Sequence, residues 1–153
     1  MEQTFIMIKS DGVQRRLIGE IVRRFELKGL KIAALKLISM SDKQAKELYS
    51  IHKGKPFCDG LVKFITSSPV VVMVVEGDVA IAVVRKLLGA TFGYEAEPGT
   101  VRGDFGMSRG MNLVHGSDSL ESAKREIPIF FRSDEILSYT LCDSKWVCEA
   151  QGK

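Results

Sequence analysis

The chain has 153 residues, long enough to bury one core and in the usual range for a single domain, expected here to span 1–153. Hydrophobic residues make up 45% and charged residues 27%, a balance that excludes a disordered chain. The net charge is +3 with Lys and Arg dispersed, which argues against a nucleic-acid-binding tail or a polybasic membrane anchor but leaves a few cations free to converge on a small anion. Cys58, Cys142 and Cys148 are odd in number and contain no Cys-x-x-Cys pair, so neither a disulfide framework nor a zinc site is expected. Met1-Glu2-Gln3-Thr4 lacks the character of a signal peptide, and the longest apolar runs, such as Val70 to Val75, fall well short of the ~20 residues of a membrane span. A cytoplasmic protein with reduced thiols is the expectation.

Thr4 to Ile8 is a continuous apolar stretch ended by Lys9 and a Ser10-Asp11-Gly12 turn, which predicts a buried strand with a lysine at its exit. Ile18, Ile21, Val22 and Phe25 then repeat at helical spacing up to Gly29, predicting an amphipathic helix over Leu17 to Lys28. Leu30 to Ile38 is the second strand. Ser41 to Gln44 has capping-box spacing and opens a helix with Ala45 and Leu48 inward, broken by Gly54 and Pro56. Phe57, Leu61, Phe64 and Ile65 form another short stripe, so a helical hairpin is predicted before Ser68-Pro69.

Val70 to Val75 is the third strand, after which Asp78 can cap a helix carrying Ile81, Val84 and Leu88 and closed by Gly89. Ala90 to Gly110 holds five glycines, Pro98 and no sustained periodicity, a loop of a length usually tied to function. Asn112 to Val114 is read as a last short strand, and Asp118-Ser119-Leu120-Glu121 as the cap of a helix stopping before Pro128. Ser133-Asp134-Glu135 starts one more short helix, and Cys142 to Lys153 is a non-repetitive tail holding the only tryptophan, Trp146. Strands alternating with helices suggest a parallel, doubly wound sheet, although an antiparallel sheet with helices on one face fits the same pattern.

Neither Gly-x-x-x-x-Gly-Lys-Ser/Thr nor Gly-x-Gly-x-x-Gly occurs, so any phosphate must be held by side chains rather than by a glycine-rich backbone cradle. Lys9, Arg85 and Arg102 stand where strand ends and loops could converge; each is otherwise a solvated surface charge. The strongest chemical feature is His115, at the end of a short apolar run and ahead of Gly116, Ser117 and Asp118. Gly116 removes bulk beside the ring, and the following helix start favours anions. A neutral imidazole is a usable nucleophile near neutral pH when an acceptor fixes its tautomer. Glu126, two turns along that helix, is either this acceptor or an exposed glutamate. Asp118 is the helix cap, or lies near a phosphate-bound metal. Phe57 and Leu61 could clamp a planar base or simply pack in a core. His52 and Cys58, without partners at a meaningful spacing, read as structural or incidental.

Asn112-Leu113-Val114-His115-Gly116-Ser117-Asp118, together with Ile8 to Arg15 and Pro98 to Phe105, resembles the nucleoside diphosphate kinase family, whose signature is Asn-x-x-His-Gly-Ser-Asp. The resemblance extends from Phe5 to about Glu149. It implies an α+β fold: a ferredoxin-like β-α-β-β-α-β core with an antiparallel sheet, the helical hairpin as an insert, a long loop before the active-site strand, and a C-terminal tail. It also implies ping-pong transfer of the γ-phosphate of a nucleoside triphosphate such as ATP through phosphohistidine at His115 to a nucleoside diphosphate such as GDP, maintaining triphosphate pools. Lys9 is then the lysine near the transferred phosphate and the ribose 3′-hydroxyl, and Asn112 a ribose contact. Arg85, Thr91 and Arg102 are the phosphate ligands, Phe57 stacks on the base with Leu61 behind it, and Tyr49 lines the site. Glu126 orients the histidine, with Ser117 as its hydrogen-bonding neighbour. Mg2+ is implied as cofactor, held mainly by nucleotide phosphates and at most through water by Asp118. A homohexamer is implied by the tail.

Three positions depart from the family pattern: Ser10 replaces a proline, Thr91-Phe92-Gly93 replaces Thr-Asn-Pro, and Arg109 stands where the residue is often apolar. A non-catalytic nucleotide- or nucleic-acid-binding regulator on the same fold is the alternative reading.

Overall fold

The computed structural model describes residues 1–149. Strands β1 (Glu2–Ile8), β2 (Lys31–Ile38), β3 (Val70–Gly77) and β4 (Val114–Gly116) form one sheet in the order β2-β3-β1-β4. Every pairing is antiparallel, which corrects the parallel-sheet expectation and agrees with the ferredoxin-like core. The reason for the discrepancy lies in β1 and β3. Phe5, Met7, Val70, Val72 and Val74 enter one core, whereas Ile6, Ile8, Val71, Met73 and Val75 enter the other. Antiparallel strands usually alternate because one face meets water; strands buried on both faces read as unbroken apolar runs, as parallel ones do. Each of these larger side chains contributes roughly 1.5–3 kcal/mol on burial.

Ser10–Gln14 is a short helix, α1, followed by α2 (Ile18–Leu27). The hairpin predicted between the second and third strands is present as α3 (Asp42–Leu48) and α4 (Cys58–Thr66). Ser41 caps α3, accepting from the Gln44 amide while the Gln44 side chain bonds back to Ser41. Helices α5 (Ala80–Leu88), α6 (Val101–Phe105), α7 (Leu120–Phe130) and α8 (Ser144–Val147) complete the set. Residues of α2 and α5 pack on one face of the sheet, and residues of α3, α4 and α7 on the other.

Several local expectations are overturned. Ser10-Asp11-Gly12 is the start of α1 rather than a simple turn, because the Asp11 carboxylate is engaged by the amide of Leu113 at 3.1 Å. Asp78 does not cap α5: Val79 occupies the cap position with φ +47°, and the Glu2 carboxylate from β1 accepts the Ile81 amide at 3.2 Å. The Ala90–Gly110 loop contains a 3-10 turn at Gly93–Glu95 as well as α6, whose cap Thr100 accepts from the Gly103 amide. A side chain at Gly103 would overlap the Glu97 carbonyl, and one at Gly93 the backbone of Gly106, so these glycines fold the loop onto itself. Pro128 lies inside α7 instead of ending it. The tail from Cys142 includes α8, and its residues 150–153 lie outside the described structure. Among the described residues, no helix is long and apolar enough to cross a membrane.

Candidate active site

The last strand lies two residues later than the sequence predicts, at Val114–Gly116, because Leu113 adopts φ +70° and breaks the extended path. The bend is held by the Asp11 carboxylate and by the Lys9 amide, which donates to the Leu113 carbonyl at 2.8 Å. A non-glycine residue in this region stores about 1–3 kcal/mol and persists only where its surroundings enforce it. His115 is therefore central in β4, opposite Met7 of β1, rather than beyond the strand. Gly116 faces away from the ring: a side chain there would meet Leu88 at 2.7 Å and Val84 at 3.5 Å. Its small size lets α5 pack on β4 and does not make room for the imidazole.

The imidazole lies between the Phe5 ring, 5.9 Å away by centroids, and the edge of Tyr49 at 6.1 Å. Behind it, Glu126 of α7 is 2% exposed and holds His115 Nε2 at 2.9 Å through Oε2. Ser117 Oγ donates to the same oxygen at 2.7 Å, and Arg125 Nη2 donates to Oε1 at 3.0 Å. A carboxylate receiving a hydroxyl and a guanidinium is an acceptor, so Nε2 carries the proton and Nδ1 keeps its lone pair. The Tyr49 hydroxyl is buried and without a partner in the protein, and burial together with the Glu126 charge pushes its phenol upward.

Three cations meet beside this histidine. Lys9 Nζ donates to Asn112 Oδ1 at 2.7 Å, and Asn112 Nδ2 donates to the Thr91 carbonyl at 2.9 Å. Arg102, only 4% exposed, donates to the carbonyls of Asn112, Val114 and Gly89 at 3.1, 2.7 and 2.9 Å. It thus anchors the strand carrying His115 to the end of α5. Burial and the neighbouring Arg102 charge lower the Lys9 ammonium from 10.5 to about 8. Burial and Arg85 lower the Arg102 guanidinium to about 10. None of Lys9, Arg85 and Arg102 belongs to an ion pair among the described residues. Asp11 offsets part of this charge at Lys9 and Asp118 part of it at Arg85, and a bound polyanion would remove the remaining cost of gathering like charges.

Lys9, Tyr49, Phe57, Leu61, Arg85, Thr91, Arg102, Asn112 and His115 all line one cavity of about 940 Å³. Glu126 and Ser117 support His115 from behind and do not line it. Asp118 stays outside: the cap of α7 is Ser119, which accepts from the Ser122 amide, while the Asp118 carboxylate accepts from Ser122 Oγ. That hydrogen bond, with a smaller contribution from Arg85, holds Asp118 below its ordinary range. His52, read as incidental, lines the cavity and meets Phe57 edge-on at 5.2 Å. Phe92 and Arg109 also line it, and Arg125 is a further polar partner missed in the sequence. Phe92 and Arg109 stand out in the sequence as departures from the family pattern, whereas no periodicity marks His52 or Arg125 as site residues. Among the described residues, no three His, Cys, Asp or Glu side chains form a metal-binding group.

The sequence profile of the family described as nucleoside diphosphate kinase matches residues 2–136. A nucleoside diphosphate kinase of Crocosphaera subtropica is 55% identical over 97% of this chain and 100% of its own length. One of Staphylothermus marinus is 54% identical over 90% of this chain and 98% of its own. Among solved structures, a halophilic nucleoside diphosphate kinase from Halobacterium salinarum in complex with CDP matches with a TM-score of 0.94 and 51% identity, covering 97% of this chain and 99% of that one. With a histidine beside three converging cations and this breadth of similarity, the chain belongs to the nucleoside diphosphate kinase family and is a phosphotransferase.

Proposed function

We propose that the whole chain acts as one domain that transfers the terminal phosphate of a nucleoside triphosphate to a nucleoside diphosphate through a phosphohistidine at His115, so balancing triphosphate pools. The observation carrying this reading is the Glu126 contact, which occupies Nε2 and leaves Nδ1 as the free lone pair. Nδ1 attacks the γ-phosphorus; the N–P bond forms as the bond to the β–γ bridging oxygen breaks, and its electrons leave on the departing diphosphate. The proton on Nε2 stays with the Glu126 contact. The reverse step delivers the phosphoryl group to the second diphosphate, and one cavity serves both substrates in turn. Phosphoryl transfer depends on alignment and charge stabilisation, which Lys9, Arg85 and Arg102 supply at the phosphates and Asn112 with Thr91 supply beside them. Tyr49 bounds the imidazole, and Phe57 with Leu61 receives the base.

Mg2+ held by the nucleotide phosphates would add charge neutralisation at the β- and γ-oxygens, with Asp118 contributing at most through water. The CDP in the halobacterial relative's structure supports a nucleotide in this cavity. Free Cys58, Cys142 and Cys148 are in keeping with a cytoplasmic location. The exposed Leu35 and Leu37 on β2 and the exposed Trp146 of the tail are in keeping with a homohexamer. Light scattering should return the mass of six copies, and a monomer or dimer mass would overturn that assignment.

Intact mass after brief exposure to Mg-ATP, and again after adding GDP, tests the mechanism. A one-phosphate adduct should appear with ATP, vanish as GTP forms, and be absent in His115→Ala. Folded protein that binds nucleotide but gives neither adduct nor GTP would instead support the non-catalytic regulator.

A further inference from the structure

The cavity has a second wall that the phosphate chemistry does not use. Arg109 lies in the segment between α6 and β4, and its guanidinium carbon stands 4.4 Å from the centroid of the Phe92 ring. Phe92 is itself backed by Tyr94, with nearly parallel rings 5.9 Å apart. Arg109 is exposed and enters no ion pair among the described residues, so no carboxylate explains where it sits. A guanidinium is planar: with one face resting on Phe92, the other is left for a second flat group. Phe57, supplied by the helical hairpin, lines the same cavity and is 53% exposed. Two planar surfaces from separate segments of the chain therefore border the space in which a base would lie.

We propose that Arg109, held by Phe92, is a specificity-determining residue that stacks on the nucleotide base and biases the enzyme toward purines over pyrimidines. The attraction between a cation and a π-face grows with the overlap, and a bicyclic purine offers more of it than a pyrimidine. A fourth phosphate-binding cation would look different, since phosphates are common to every nucleotide and such a contact carries no base preference.

The inference rests on the proposed transfer reaction, and turnover of wild-type protein with any acceptor checks that reaction separately. With ATP as fixed donor, kcat/KM is measured for GDP, CDP and UDP in wild-type protein and in Arg109→Val, Arg109→Lys and Phe92→Ala. The GDP-to-CDP ratio should fall about two- to five-fold in Arg109→Val. Arg109→Lys should not restore it, because an ammonium keeps the charge but loses the plane. Phe92→Ala should lower the same ratio by releasing the guanidinium. An equal loss for all three acceptors in Arg109→Val would assign Arg109 to the phosphates and overturn the proposal, and a wild-type ratio in Arg109→Lys would overturn stacking by the guanidinium plane. Unchanged ratios in wild-type-like turnover would overturn it by making Arg109 a solvated surface charge.

Discussion

The two ends of the cavity are built on opposite plans. At the end proposed for the phosphates, Lys9, Arg102, Asn112, Ser117 and Glu126 are buried and each is tied to the backbone or to another side chain, while Arg85 is exposed. At the end proposed for the base, Phe57 and Arg109 are exposed, and Phe57 and Phe92 meet neighbouring side chains through their rings rather than through hydrogen bonds. On the proposed reading, the chemistry is preorganised where every substrate is the same and left adaptable where substrates differ. Electrostatic preorganisation is effective because its donors need not rearrange during the reaction, whereas a ring can stack on any base.

Changes at the buried end should therefore have the larger consequences. Glu126→Gln preserves shape but allows the amide to turn its NH2 toward the imidazole, which disturbs the tautomer that leaves Nδ1 free. Phosphorylation of His115 by ATP should slow by on the order of 100-fold, with nucleotide affinity little altered; rapid-quench formation of the adduct measures this. An adduct formed at the wild-type rate would show that Glu126 only packs. Arg102→Met removes three bonds to buried carbonyls, and the urea midpoint should reveal a loss of about 2 kcal/mol in addition to weaker nucleotide binding.

Lys9 makes the contrast depend on pH. Its folded value of about 8 lies below the ordinary 10.5, so the penalty for burying its charge is fully present below pH 8 and is relieved as the pH rises toward 10.5. Catalysis has the opposite sign, because the ammonium that faces phosphate is lost over that range. For the free enzyme, kcat/KM should fall about tenfold for each pH unit above 8, a limb absent in Lys9→Gln. Bound triphosphate favours the charged form, so the corresponding limb in kcat should lie at higher pH.

Smaller effects are expected at the open end and at the surface. Phe57→Ala should raise KM about five-fold for all nucleotides, near the lower limit for loss of base stacking because the ring is half-exposed. A change in kcat without one in KM would contradict the separation between the two ends. Ser10→Pro is the mildest: proline suits the first position of α1, but the substitution removes the Ser10 hydroxyl bond to the Ser68 carbonyl at 3.2 Å. The net shift in the urea midpoint should correspond to less than about 1 kcal/mol.

The amino-acid order alone specified the elements whose signals are local. The α2 stripe, the Ser41–Gln44 capping box and the apolar cores of the strands are all present within a few residues of where their patterns place them. His115 and its motif were legible for the same reason, since the residues that identify it are contiguous. What lay beyond the sequence depended on partners far along the chain. Glu2, 79 residues from Ile81, replaces the expected Asp78 cap, and Asp11, 102 residues from Leu113, stabilises the bend that displaces β4. Sheet direction was equally hidden, because burial of β1 on both faces erased the alternation that usually marks an antiparallel strand. Local patterns report which face of an element is apolar. Only tertiary structure decides what covers that face, and here it is what brought Lys9, Arg85 and Arg102 to one cavity.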